Sequence, residues 1–142
     1  MNVYDNIIAD IRRFNRFYTN ILGVLDRHVL DTGYSLTEAR VIIEIGMMEQ
    51  CIANNLVDIL EIDRSYMSRI ITKLCKDGLL IKGNSTLDNR TSLISLTSKG
   101  TDLYKQLNEK SDEQIVRFMQ GLSQKEIKEI HESMLLIQKK LD

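Results

Sequence analysis

A mostly α-helical fold with one small β-hairpin is what the 142-residue sequence predicts, and three observations carry that reading. Proline is absent and good helix formers dominate all but two short stretches. Apolar residues recur at alternating steps of three and four through both terminal segments, the spacing of one helical face. Between those segments, two short helical patterns and a turn run into two strand-like patterns around a polar tip.

The first element is read from Val3 to Val29. Tyr4, Ile7, Ile11, Phe14, Tyr18, Ile21 and Leu25 lead to Val29 as one continuous stripe. A helix of that length spans about 40 Å, more than a small core needs. Leu36 to Met48 follows, with Ser35 and Glu38 in capping-box spacing and Ala39, Ile42, Ile43 and Gly46 expected inward. A short helix carries Leu56, Ile59 and Leu60. After the turn Glu61-Ile62-Asp63, Asp63 is placed to cap a helix over Arg64 to Lys76. Gly78 is its expected left-handed stop. Leu79 to Asn84 and Ser92 to Thr97 read as strands joined by the tip 85–91. A helix from Ser98 to about Gln120 is expected to turn Leu103, Leu107, Ile115 and Met119 inward. The last helix begins at the Ser123/Glu126 capping box and repeats the stripe at Ile127, Ile130, Met134, Ile137 and Leu141. Two short helices, a turn and a hairpin are the layout of a winged helix-turn-helix over residues 35–99. Residues 1–30 and 100–142 are read as helices that bury their stripes against a second copy, because the middle segment is too small to cover them. The whole of 1–142 is taken as one unit.

Composition narrows the function. No apolar run approaches the roughly 18–20 residues of a membrane helix, and the N-terminus lacks a signal pattern, so a cytoplasmic, soluble chain is expected. Cys51 and Cys75 match neither a disulfide scaffold nor a metal-finger spacing. His28 and His131 share no ligand spacing with other side chains, so no metal and no cofactor are assigned. No nucleophile–base pair, paired carboxylates or phosphate loop can be located, which argues against an enzyme. The net charge of −1 hides a polarity: Arg64, Arg69, Lys73, Lys76, Lys82 and Arg90 face only Asp77 and Asp88 in that window. Its local balance is +4 and the remainder is acidic. A polyanion feels that local field over about 8–10 Å.

Plotted at about 100° per residue, Met67, Ile70, Ile71 and Leu74 fall on one side of the 64–76 helix. Ser65, Ser68, Arg69, Thr72, Lys73 and Lys76 share the opposite arc, with Tyr66 at its edge. No acid stands on that arc, although a solvated helix face ordinarily mixes Glu with Lys. Hydroxyls short enough to permit close approach, interleaved with cations for phosphates and guanine edges, suit a DNA major groove. The tip adds Asn84, Ser85, Thr86, Asp88, Asn89 and Arg90. A long cation on a protruding wing suits an adjacent minor groove, and Asp88 is placed to pre-aim Arg90.

Gly78-Leu79-Leu80, then Asp88-Asn89-Arg90, then Leu93-Ile94-Ser95-Leu96-Thr97-Ser98-Lys99-Gly100 resemble the signature of MarR-family transcriptional regulators. Leu36-Thr37 and Leu122-Ser123 also fall where that family has them. The resemblance implies a homodimeric winged-helix protein that binds a pseudo-palindromic operator in double-stranded DNA, most often as a repressor. It implies recognition-helix contacts from Ser65, Tyr66, Ser68, Arg69, Thr72 and Lys73, and a wing pair of Asp88 and Arg90. Arg64, Lys76 and Lys82 complete the expected DNA-binding set. Two departures, Lys82 where the family commonly has arginine and Asn89 at a frequent wing arginine, point to modest phosphate affinity. The string Arg13-Phe14-Asn15-Arg16-Phe17-Tyr18-Thr19, with Leu36 to Val41, is similar to a subgroup often fused to an acetyltransferase domain. No Gly-rich acyl-cofactor loop follows through Asp142, so no acetyltransferase activity is expected.

Arg13, Arg16 and Asn20 fall on a polar strip of the first helix, with Asn15 and Tyr18 nearby, and a carboxylate clamped by Arg13 or Arg16 is physically reasonable. The MarR resemblance implies a small aromatic or anionic effector there, at Arg13, Arg16 and Tyr18, against the plainer reading of salt bridges to neighbouring helices or to a second copy. Cys75 lies at a helix C-terminus, whose partial negative charge opposes a reactive thiolate, so both thiols are expected to be inert. Two other readings stand beside the regulator: a winged-helix module that binds protein, and a regulatory segment of a longer acetyltransferase fusion.

Overall fold

Local chemistry starts and stops most of the helices. The structure, a computed structural model, describes residues 3–30, 32–84 and 92–142. In chain order these form α1 (Val3–Leu30), α2 (Leu36–Met47), α3 (Ala53–Leu60), α4 (Arg64–Lys76), β1 (Leu80–Asn84), β2 (Ser92–Leu96), α5 (Ser98–Phe118) and α6 (Gln124–Leu141). The architecture is the mostly α, winged helix-turn-helix arrangement that the sequence predicts. No helix among the described residues is long and apolar enough to cross a membrane.

The capping box at α2 is complete: the Glu38 N–H donates to Ser35 Oγ at 3.1 Å and the Ser35 N–H donates to Glu38 Oε1 at 2.9 Å. The turn between α3 and α4 passes through Glu61 in the left-handed region, at φ 52°. Asp63 then caps α4, accepting the Tyr66 N–H at 3.2 Å. At the other end of α4, Gly78 takes φ +79°, open to glycine at little cost. The Leu79 N–H then reaches the Leu74 carbonyl at 2.9 Å and the Gly78 N–H reaches that of Cys75 at 3.0 Å, a Schellman ending.

β1 and β2 pair antiparallel in the register Leu80↔Leu96, Lys82↔Ile94 and Asn84↔Ser92. The free edge of β2 is tied down as well, since the Ile94 N–H donates to the Cys51 carbonyl at 2.8 Å. The hairpin is therefore fixed, midway along β2, to the segment that leads into α3.

Contacts group into two units, Met1–Ser111 and Asp112–Asp142, where the sequence suggests one, and the division falls within α5. In the first unit, Ala39, Val41, Ile42, Leu56, Met67, Leu74, Leu79 and Leu107 are essentially out of water. They join α2, α3, α4, the hairpin and the start of α5 into one core. Two expectations are corrected. Ile59 is 46% exposed; Val57 is the partly buried neighbour of Leu56 and Leu60 instead. In the second unit Ile115 is also 46% exposed, while Gln114 beside it is buried. There α6 starts on its expected capping box, with the Glu126 N–H donating to Ser123 Oγ at 3.1 Å, and buries none of its residues.

Candidate nucleic-acid interface

The core fixes which side of α4 faces outward. Met67, Ile70, Ile71 and Leu74 are all buried. Arg64, Ser65, Tyr66, Ser68, Arg69, Thr72, Lys73 and Lys76 are all exposed. The helix is thus bolted down by its oily side, and one turn of its outer face after another presents hydroxyls and cations.

Two of those cations have partners on the protein. The Arg69 guanidinium stacks over the Tyr66 ring, 5.7 Å from its centroid. A cation over an aromatic face is attracted by the ring's negative quadrupole, and the N–H edge stays available. Lys73 Nζ lies 2.6 Å from Glu38 Oε2 and 5.6 Å from the centre of the Tyr34 ring. The Tyr34 hydroxyl donates to Asp77 Oδ2 at 3.3 Å. So the helix itself carries no acid on its outer arc, but α2 supplies one from outside.

Burial alone would raise the Glu38 carboxyl; hydrogen bonds from Lys73 and Ser35 outweigh it and hold the group below the ordinary carboxylate range. The same contact raises Lys73 above an ordinary lysine. A depressed carboxyl stabilises the fold above its unfolded pKa and loses that contribution as pH falls through its folded value. A raised lysine contributes below its unfolded pKa and loses the contribution at alkaline pH. The gap in melting temperature between wild type and Glu38→Gln should therefore be level near neutrality and close as pH falls below the ordinary carboxylate value. A gap that persists unchanged at pH 3 would remove the pair from the stability of the helix.

The last turn of α4 is also tied to the start of α5. Lys99 Nζ donates to the Asp77 carbonyl at 2.9 Å, and Thr97 Oγ1 donates to that of Gly78 at 2.6 Å. The Gly100 N–H returns to Thr97 Oγ1 at 3.1 Å. The Thr97-Ser98-Lys99-Gly100 run thus has a physical task, which is to cap α5 and hold the carbonyl end of α4 together. The sequence pattern assigns no such role to Tyr34, Asp77, Thr97 or Lys99, and marks Glu38 only as a cap.

Between α3, α4 and the hairpin lies an open groove of about 390 Å³. Met67, Ile71 and Ile94 contribute apolar lining, and Asn54, Arg64, Ser68, Lys82 and Ser92 polar lining. Lys82 is exposed on β1 and stands with Arg64 around this groove. The expected wing residues Asp88 and Arg90, with Ser85, Thr86 and Asn89, lie outside the described residues.

Residues 32–90, from the segment before α2 to the wing, match the sequence model of the MarR family. The chain is similar in structure to a crystal structure of a MarR family transcription regulator, with TM-score 0.81, over 96% of this chain and 90% of that one, at 19% identity. The chain thus shares the winged-helix fold of that solved MarR family structure. The MarR-type fold is shared with a mutant of E. coli MarR in complex with operator DNA (TM-score 0.76, 17% identity, 100% of both chains). It is shared too with Streptococcus pneumoniae FabT in complex with DNA (TM-score 0.80, 19% identity, 92% of this chain and 96% of that one). No curated protein matches the sequence.

Away from the helix-turn-helix, the candidate effector strip is only partly assembled. Arg13 pairs with Asp10 of its own helix at 3.5 Å, both side chains more than 70% exposed. Arg16 is exposed, and Tyr18 is half-buried and stacked on Phe14 with ring centres 5.6 Å apart. The exposed pair is worth about 0–1 kcal/mol and leaves Arg13 open to an anion. Cys51 is buried, and desolvation, with Glu44 adding to it, pushes its thiol up, away from a reactive thiolate. Cys75 is half-buried. Among the described residues no group of three or more His, Cys, Asp or Glu is placed to hold a metal ion.

Proposed function

We propose that this chain is a sequence-specific, double-stranded-DNA-binding transcription regulator of the MarR type, acting in the cytoplasm as a homodimeric repressor. The observation that carries it is the outer face of α4, where exposed cations and hydroxyls stand over a locked apolar face. Arg69 is the base-reading residue, held ready by the Tyr66 ring. Ser65, Tyr66, Ser68 and Thr72 line the approach, and Arg64, Lys76 and Lys82 neutralise phosphates. Asp88 and Arg90, outside the described residues, would supply the contact to a flanking minor groove. DNA-bound neighbours of the same fold support the reading. No catalytic role belongs to it, and the likeness of Arg13 to Thr19 to an acetyltransferase-fused subgroup adds none.

Dimerisation explains apolar surface that the single chain leaves wet. Tyr4, Ile7, Ile11 and Phe14 of α1 are 47–70% exposed, and Ile130, Met134, Ile137 and Leu141 of α6 are 37–83% exposed. Stripes of this length are too apolar to remain solvated. Charging the α1 stripe with Ile11→Glu and Phe14→Glu should shift sedimentation velocity from dimer to monomer, with the helical signal of the winged-helix unit retained. Unchanged sedimentation would place the dimer contact elsewhere. A small aromatic or anionic effector at Arg13, Arg16 and Tyr18 would act by favouring one spacing of the two recognition helices.

Selection of the preferred duplex from a random pool tests the reading. A two-fold symmetric site is expected, with half-sites about 10–10.5 bp apart. Arg69→Ala should weaken binding to that site by about 1–3 kcal/mol and relax preference at one position of each half-site. A pool that stays random after selection would favour a winged-helix module that binds protein.

A further inference from the structure

We infer that Lys73, although it stands on the outer arc of α4, is a positioning residue and not one of the cations that neutralise phosphate. This rests on the DNA-binding reading of that arc. Its side chain is half-exposed, but its ammonium already has an anionic partner, Glu38 Oε2 at 2.6 Å, which offsets its charge. Glu38 is a poor candidate to let go. Its side chain is only 10% exposed, and its other oxygen is engaged by the Ser35 N–H at 2.9 Å. If Lys73 left for a phosphate, a carboxylate largely out of water would remain without its cation, which is strongly unfavourable. Lys76, three residues on, differs: among the described residues no acid lies within ion-pair distance of it.

The geometry also shows what Lys73 holds. Glu38 is both the N-terminal cap partner of α2 and the anchor for the C-terminal half of α4. Tyr34 adds two more ties, its ring beneath Lys73 and its hydroxyl on Asp77 at the end of the helix. Three contacts thus join the start of α2 to the last turn of α4. They set the tilt at which Arg69, Thr72 and Lys76 would meet a groove.

The test separates charge from position. Binding to a mixed-sequence duplex is followed by anisotropy across a salt series, since the slope of log K against log[salt] changes by about 0.9 for each phosphate that the protein neutralises. Lys76→Ala should make the slope shallower by about that amount. Lys73→Met, which keeps most of the stem, should change it by less than about a third as much. Glu38→Gln should release Lys73 to the polyanion and steepen the slope by about 0.9. A Lys73→Met slope as shallow as that of Lys76→Ala, or a Glu38→Gln slope equal to wild type, would overturn the inference.

A thermal cycle on the free protein reads the strut independently of DNA. Lys73→Met and Glu38→Gln should each lower the melting temperature by about 2–4 °C, and the double variant by no more than the worse single one. Lys73→Arg should restore most of the loss. Additive losses overturn the strut whatever the duplex data show. A wild type with no salt-linked duplex binding but with a non-additive cycle would instead condemn the DNA reading and leave the strut in place.

Discussion

Leu74→Ala is expected to destabilise the protein by about 2–5 kcal/mol, measured by chemical denaturation. Leu74 is fully buried in the face of α4 that meets the core, among Ile70, Ile71 and Leu79. Truncation removes the transfer free energy of the lost methyls and leaves a cavity that close-packed neighbours fill only in part. The effect also bears on function, because Leu74 follows Lys73 in the helix and gives its carbonyl to the Leu79 N–H that ends it. A helix loosened there presents Arg69 and Lys76 in a less defined orientation. Duplex affinity of the remaining folded protein should fall as well. A loss of under about 1 kcal/mol would mean that α4 is not held as described.

Gly100→Ala should cost about 2–3 kcal/mol, although the same change at an open helix position gains up to about 1 kcal/mol. The sign reverses because a Cβ at Gly100 would overlap the carbonyl oxygen of Leu79 and press on Leu96 Cδ2. A flexible side chain could move aside; this backbone cannot do so cheaply. The Leu79 carbonyl accepts the Thr97 N–H at 3.0 Å and lies between the end of α4 and β1. Relief would have to come from separating α5 from the end of α4. Thermal unfolding checks it, and a melting temperature at or above wild type would contradict the close approach.

The two faces of α4 were legible in the sequence because thirteen residues, a capping Asp63 and a stopping Gly78 all agree on one register. Such agreement leaves little room for another packing. Where the pattern is short, it misleads. α3 has only eight residues, and Ile59 and Val57 are equally apolar, so periodicity could not choose which completes the face of Leu56 and Leu60. In α5 the stripe runs true through Leu103 and Leu107 and then turns Gln114 inward in place of Ile115. α2 buries Val41 and Ile45 beside Ala39 and Ile42, a wider face than a single stripe, because it meets both β2 and α1.

The Glu38–Lys73 pair was invisible for a different reason. Its members are thirty-five positions apart, and each already has a sufficient local explanation, one as a cap and one as a surface cation. Only the folded chain shows that the acid missing from the outer arc of α4 is supplied by α2. The Asp77 carbonyl, reached by Lys99 from across the hairpin, is a second case. Long-range polar contacts of this kind leave no periodic trace.

The most direct measurement is the affinity of the wild-type protein for double-stranded DNA as salt is raised. If the outer face of α4 meets phosphates from both halves of a dimer, log K should fall linearly with log[salt]. A slope steeper than about −3 is then expected, each neutralised phosphate adding about −0.9. A slope near zero, with the protein folded throughout, would contradict a role for that face on DNA.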